Sequence, residues 1–444
     1  MSTALNARNQ RARLKRMIDA VRTDPSPSDL TELDTLLRRA APNRAFDAPQ
    51  SRFIGMNALT LTRDTLPKLT KMSLVFHKVN GIGALAAIPA KTGGAKRTRV
   101  IFVRRNGTFA VDNVVVPLRQ GRVLMDGELC LRRRALSGHE SAHLHAPIPC
   151  VVGFEYMEPD DGEPASDAAY ELCFMAHDLL VDDDVTSSGA RARTSDAAAV
   201  LQPLERLSRL KRLLQASPVA DAATEAALAA AVNELAGAPL AVRFVYKEPY
   251  LAMSVRTALR SLPACLHGVP RDGLVFAPGS GAYCVGETNP ALLKYKAWRD
   301  NTGDFVITRA GEGYRLHVLT ANRKARCISE RLWLGDTDDE RQVAADALQR
   351  EVKRLADGGP ANVPLIYECE PSVESMPDLL ALRDVYPDKN ELLLEASKLL
   401  RWRPIGVLRD EKAYPNSEIN FWAIVDALVN AVTPEDIVAQ IGAQ

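Results

Sequence analysis

The chain lacks several features that would have fixed its class at once. Its seven cysteines (Cys130, Cys150, Cys173, Cys265, Cys284, Cys327 and Cys369) are scattered, with no C-x-x-C pair among them. That spacing excludes a zinc ribbon and a disulfide framework and points to a reducing compartment. No apolar run reaches the roughly 20 residues that a membrane-spanning helix needs, and the first residues are polar and basic, unlike a secretory signal. The expected location is therefore cytoplasm or nucleus, with no membrane partner. Formal net charge is only +1, so a polynucleotide would have to be met by a local basic groove and not by a global field. No internal repeat is present.

What is present is an ordinary globular composition, 46% apolar and 25% charged, over 444 residues, too many for one compact core. Two or three domains are expected. Residues 1–45 read as a polar helical arm, in which Ser28 to Leu37 has the spacing of an amphipathic helix capped by Ser28 or Asp29. The basic cluster Arg8, Arg11, Arg13, Lys15 and Arg16 admits an RNA contact or, as such runs more often are, a solvated helix face. From Phe53 the pattern turns to strands: Ser73 to His77 delivers Lys78, and ALAAIP, RVIFVRR, TFAVDNVVVPL and GRVLMDGELCLRR follow. LQPLERLSRLKRLLQ has the period of a helix packed on a sheet. This β-rich domain is expected over 46–300. A second, over 301–444, opens with FVITR, YRLHVLTA and ARCISERLWL and closes with a helix from about Glu418.

Short motifs stand in order along these domains: Lys78-Val79-Asn80-Gly81, Asp126-Gly127-Glu128-Leu129, Asp272-Gly273-Leu274-Val275-Phe276, Leu292-Leu293-Lys294-Tyr295-Lys296 and Arg409-Asp410-Glu411-Lys412. Each is weak alone, since K-x-x-G by itself is more often a surface lysine after a strand. The ordered series asks for one chemistry, a lysine amine that attacks a nucleotide α-phosphate and holds the nucleotide as a phosphoramidate. That amine must first lose its proton, which nearby cations favour. Lys294 and Lys296 alternate along one expected strand, so both face the same way and can grip the α-phosphate. Asp272 is the candidate metal ligand. His139-Glu140-Ser141-Ala142-His143 matches H-E-x-x-H, but Gly138, Pro147 and Pro149 argue against the helix that zinc-protease chemistry needs. Asp182-Asp183-Asp184 reads as a solvated loop.

The series resembles the covalent nucleotidyltransferases, and within them the guanylyltransferase of messenger-RNA capping enzymes. The resemblance runs from about Ser51 onward and is most specific in DGLVFAPGSGAYCVGETNPALLKYKAWRDNTGDFVI. The ending, EKAYPNSEINFWAIVDALVNAVTPEDI, is similar to the tail of the viral type. The resemblance implies an α+β fold: a nucleotidyltransferase catalytic domain of antiparallel sheets and helices, shared with ligases, then an OB-fold β-barrel. It implies Lys78 as nucleophile, with Lys294 and Lys296 on the α-phosphate and Asp272 on Mg2+ or Mn2+. Asn80, Gly81, Arg105, Glu128 and His177 would contact the nucleotide, and Arg409 and Lys412 the pyrophosphate leaving group. At His177 the family places a base-stacking aromatic before an Asp, here Asp178. A stacking imidazole, Phe174 as its substitute, and a plain core histidine all remain open.

The implied reaction transfers GMP from GTP, through lysyl-GMP, to the 5′-diphosphate end of RNA. Residues 1–45 are too short for the triphosphatase often fused ahead of this unit, and no methyltransferase follows. Separate RNA triphosphatase and cap methyltransferase proteins are therefore the expected partners, in the host cytoplasm if the chain is viral. Four positions depart from the family pattern. Asn80 replaces Asp, Gly83 replaces an Arg that touches the ribose, Glu411 replaces Asp, and Val407 stands where a further Arg is common. Asn80, Gly83 and Val407 favour a non-catalytic capping-complex subunit, whereas the retained Lys78, Glu128, Asp272, Lys294, Lys296, Arg409 and Lys412 favour an enzyme. An ATP-dependent RNA or DNA ligase shares the lysine chemistry and is separated by nucleotide preference.

Overall fold

A computed structural model describes residues 13–46, 48–89, 98–114, 122–133, 170–182, 202–215, 242–252, 255, 269, 271–281, 283–310, 313–330, 332, 334, 337–338, 341–342, 344–346, 348–349, 366–372, 375–408 and 414–443. The chain divides into two units, the larger built on Arg11–Leu59 and Leu69–Lys294, the smaller on Thr60–Lys68 and Tyr295–Gln440. Mixed α+β architecture with antiparallel sheets is what both contain.

The strands of the larger unit are, in chain order, β1 (Arg22–Thr23), β2 (Asn57–Thr60), β3 (Leu74–Val79), β4 (Gly81–Ile88), β5 (Thr98–Arg104), β6 (Gly107–Val114), β7 (Val123–Arg133), β8 (Tyr170–Asp182), β9 (Val242–Tyr246), β10 (Tyr250–Leu251), β11 (Arg271–Ala277) and β12 (Thr288–Tyr295). Seven of them form a first sheet in the order β1-β6-β5-β4-β7-β8-β9, and five a second in the order β10-β3-β11-β12-β2. Within the first sheet the pairing is antiparallel apart from β8 with β9.

The first sheet is covered on both faces, which is why its central strands read as near-continuous apolar runs. Ala84, Ala86 and Ile88 of β4 and Val100 and Phe102 of β5 enter one core; Leu85, Ala87, Ile101 and Val103 enter the other. α2 (Pro203–Gln215) covers the former with Leu207, Leu210 and Leu213, beside Leu14, Met17, Ile18 and Val21 of helical residues 13–21. α1 (Pro27–Ala40) covers the latter with Leu33, Leu36 and Leu37. The stretch read as an arm is thus built into this unit from residue 13 on. Its cap is also two or three residues earlier than expected: Ser26 is the N-cap, Pro27 takes the first helical position, and Asp29 closes a capping box with Ser26. Leu74 and Phe76 of β3 and, across the ladder, Ala277 and Val275 of β11 join the first core. Lys78 is the next residue on that face of β3.

The smaller unit holds a third sheet of β13 (Gly303–Ala310), β14 (Gly313–Leu319), β15 (Ala325–Ser329), β16 (Ile366–Pro371) and β17 (Trp402–Leu408), in the order β15-β14-β13-β16-β17. Leu332, just past one edge strand, bridges Trp402 on the opposite edge strand. Its core centres on Trp402, with Phe305 at 4.9 Å and Phe421 at 6.4 Å between ring centroids. Between β16 and β17 the chain forms α3 (Ser375–Val385) and α4 (Lys389–Leu399), neither expected above. The cue was present in Asp388, whose carboxylate caps α4 by accepting from the backbone of Asn390 and Glu391. α5 (Glu418–Val429) starts where expected, capped by Ser417, and α6 (Pro434–Gly442) follows. Among the described residues no helix is long and apolar enough to cross a membrane.

Candidate functional site

The K-x-x-G motif joins the two sheets of the larger unit. Lys78 is half-buried near the end of β3 in the second sheet, Asn80 connects, and Gly81 opens β4 in the first. Gly81 lies so close to β7 that a Cβ there would meet the Cys130 Sγ at 2.5 Å and the Leu129 carbonyl at 2.8 Å. Only glycine allows that approach, and the approach anchors the loop that follows Lys78. On the other side, β11 pairs with β3 so that Gly273 faces Lys78 and Arg271 faces Val79. Asp272, the candidate metal ligand, is the extra residue of this β-bulge, and its side chain lies outside the described residues. Lys294 lies on β12, the neighbour of β11. The strand ends at Tyr295, and past it the Lys296 ammonium donates to the Asp300 carbonyl at 3.0 Å.

Beyond Gly81, β4 runs along β7 with Gly83 directly opposite Glu128. Glu128 is half-buried, and its Oε1 accepts from Lys247 Nζ at 3.0 Å. The Lys247 side chain is only 2% exposed. Where the family places an arginine, Gly83 is exposed, and a Cβ there would reach only the rim of the Phe53 ring, at 3.9 Å. The Arg105 guanidinium, at the β5–β6 turn, lies 5.5 Å from the centre of that same ring and donates to the Asn57 side-chain carbonyl. Phe53 thus has Gly83 and Arg105 as joint neighbours.

A second polar group surrounds His177. Its Nε2 is 3.6 Å from the Asp126 carboxylate, which also accepts from the Tyr283 hydroxyl. That hydroxyl in turn accepts from the Met56 backbone at 3.1 Å. Burial, then the Asp126 charge, pushes the Tyr283 phenol well above its ordinary pKa, so it remains a donor. Asp126 therefore ties the segment before β12 to β7, a structural duty. His177 Nδ1 is buried with no hydrogen-bond partner among the described residues, and the ring meets Phe76 edge-on at 6.5 Å. Phe174, the alternative stacking residue, is fully enclosed between Phe102 and Phe244 and cannot reach a ligand. Asp178 points to neither: Arg206 Nε and a terminal nitrogen grip its two oxygens at 2.8 and 3.0 Å.

Arg409, Lys412 and the whole H-E-x-x-H stretch lie outside the described residues, as do Asp183, Asp184, Arg8 and Arg11. Lys15 and Arg16 are exposed, whereas Arg13 stacks on the Tyr170 ring at 4.2 Å. No group of three or more His, Cys, Asp or Glu that would hold a metal occurs among the described residues. The Glu128 and Asp126 carboxylates are engaged by Lys247 and Tyr283. Sequence reading missed Lys247, Arg206, Phe53 and Asn57. A lysine between two aromatics in VYKEPY was the available signal for the first.

No protein-family model matches the chain, and no curated protein does. Solved structures do. A mycobacterial DNA ligase D complexed with ATP and MES is 16% identical, with a TM-score of 0.32, over 74% of this chain and 91% of that one. The Chlorella virus DNA ligase-adenylate is 12% identical, with a TM-score of 0.24, over 71% and 94%. An ATP-dependent DNA ligase from bacteriophage T7, in complex with ATP, is 11% identical, with a TM-score of 0.25, over 71% and 92%. Likenesses at this level describe those chains; the chemistry of this one rests on its own side chains.

Proposed function

We propose that the chain is a nucleotidyltransferase that works through a nucleotide covalently held on Lys78, and that it transfers GMP from GTP to a 5′-diphosphate RNA end. The observation that carries this reading is the register across β3 and β11. It sets Lys78 against Gly273, with Asp272 in the adjoining bulge and Lys294 one strand further on. A half-buried amine, a carboxylate and a second cation on neighbouring strands are the set that attack on a phosphate requires. The reading also draws on the third sheet, whose strand order and Leu332–Trp402 bridge suit a partly open OB barrel.

In the first step the Lys78 Nζ lone pair forms a P–N bond to the α-phosphorus. The bond from that phosphorus to the bridging oxygen breaks, pyrophosphate leaves with the electron pair, and the amine proton passes to solvent. In the second step a β-phosphate oxygen of the RNA attacks the same phosphorus, the P–N bond breaks, and the lysine regains a proton. Asp272 would hold a divalent metal, which when bound offsets charge on the phosphate oxygens. Lys294 stabilises the charge that develops in the transition state. Arg105, leaning on the ring that adjoins Gly83, supplies a guanidinium close to the place where the family's ribose-contacting arginine is missing.

The test is incubation with α-labelled GTP, and separately ATP, with Mg2+ or Mn2+, for the native chain and Lys78→Ala. Acid-labile, alkali-stable label from GTP alone, absent in the variant, is the expected result. Label from ATP would replace the capping reading with a ligase, and no label from either would make the chain a non-catalytic relative.

A further inference from the structure

We propose that Lys247 is a positioning residue for nucleotide recognition: its buried ammonium fixes Glu128 so that the carboxylate's remaining edge accepts from the ribose hydroxyls. This rests on the nucleotide reading of the preceding subsection and deepens it.

Lys247 follows directly on β9, and its backbone N–H donates to the Ala176 carbonyl of β8 at 2.8 Å. This tether brings the side chain to Glu128 and near Cys130, against which Gly81 packs. An ammonium that is 2% exposed persists only if its charge is answered. Glu128 is that answer, and among the described residues Lys247 is its one side-chain partner. The contact uses Oε1, and the Glu128 side chain stays 19% exposed, opposite Gly83, which has no side chain to cover it. A second buried pair on this sheet is built differently. Arg206 occupies both oxygens of Asp178, and one of them also accepts from the Leu179 backbone at 2.8 Å, so nothing is left to offer.

The resemblance already gives Glu128 a contact with the nucleotide, and the donor inventory narrows which part it meets. A carboxylate only accepts, so its partner must donate. Phosphate oxygens repel it. In a nucleotide held with its α-phosphate at Lys78, the sugar is the next moiety, and its hydroxyls are donors. The guanine amino group is the competing donor, and the experiment separates the two.

The measurement is equilibrium binding of GTP, 2′-deoxy-GTP and inosine triphosphate, with Mg2+, to the full chain by competition against a fluorescent GTP analogue. The native chain should prefer GTP over the deoxy form by about tenfold or more, as expected for a hydrogen bond to a charged group. Lys247→Met should bring that ratio close to one and leave the GTP-to-inosine ratio unchanged. Lys247→Gln, which keeps an N–H donor, should retain part of the preference, and it serves in its place if the Met variant does not fold. Glu128→Gln should also lower the ratio. Equal weakening of both sugars in the Lys247 variants would mean a structural role only and would overturn the proposal. So would a change confined to the inosine ratio. A native chain that keeps its ribose preference but forms no Lys78 adduct overturns the transferase reading alone. A folded native chain that binds no nucleotide overturns both.

Discussion

Two buried ion pairs on the first sheet of the larger unit share a plan and differ in one respect. In each, a cation from a later element reaches a carboxylate on β7 or β8. Arg206–Asp178 is sealed at both ends, with side chains 3% and 10% exposed and both carboxylate oxygens taken. Lys247–Glu128 is sealed at the cation, whereas the Glu128 side chain, opposite Gly83, stays 19% exposed with one oxygen in the pair. A third pair, at the surface, spreads one guanidinium over two carboxylates, Arg99 with Asp29 at 2.8 Å and Asp112 at 2.6 Å. The series runs from architecture, through a proposed site, to helix capping. What separates its members is how much of the acceptor the fold has already consumed.

Breaking the sealed pair should have the largest effect. Arg206→Met leaves the Asp178 carboxylate buried and unpaired, which costs about 3–5 kcal/mol. Burial already pushes that carboxyl above its ordinary pKa, with Arg206 and the Leu179 backbone holding it down. Urea unfolding of the variant, and of Arg206→Met combined with Asp178→Leu, checks this. The double variant should regain most of the loss, because replacing both partners by apolar groups removes the desolvation penalty. If it is no more stable than the single variant, the pair holds the fold through something other than charge.

The half-open pair should cost less to break. Lys247→Met strips Glu128 of its partner, but water can reach the exposed edge, so the expected loss is about 1–3 kcal/mol. The same urea series measures it. A loss as large as that of Arg206→Met would erase the distinction between the two pairs and weaken the case that Glu128 is held ready for a ligand.

The sequence carried one side of this comparison and not the other. Lys78, Gly81, Asp126, Glu128 and Asp272 stand out as spaced motifs, and β3, β4, β7 and β11 run through them because short, largely apolar runs bounded by turn residues mark strands. The register that opposes Lys78 to Gly273, and Gly83 to Glu128, joins residues nearly two hundred and about forty-five positions apart; no local pattern encodes it. Lys247 and Arg206 were hidden for the same reason, since a lone cation in a strand–loop or an amphipathic helix reads as solvated until its acceptor is found. α1 was legible as a helix from its spacing. Its burial against β4 and β5 was not, because an apolar stripe does not say which sheet it covers. α3 and α4 went unread, although Asp388 offers a cap for the second.

The surface pair gives the smallest effect and a distinct signature. Asp29 is the third residue of α1's capping box: its Oδ2 accepts from the Ser26 backbone at 2.7 Å and from Arg99 Nε at 2.8 Å. Burial alone would raise its pKa, but the hydrogen bonds from Ser26 and then the Arg99 guanidinium outweigh it and hold the carboxyl below its ordinary value. A carboxyl depressed in the folded state adds stability above its unfolded pKa and loses it as pH falls through the folded one. Asp29→Asn keeps an acceptor oxygen and removes the charge, so the native chain should be more stable by about 1 kcal/mol at neutral pH. That gap should close on acidification through and below the usual carboxylate range. Urea midpoints of both proteins at pH 7 and in steps toward pH 3 measure it, provided each stays folded without denaturant. A gap that is constant with pH would assign the effect to lost helix capping, with the Arg99 charge contributing nothing.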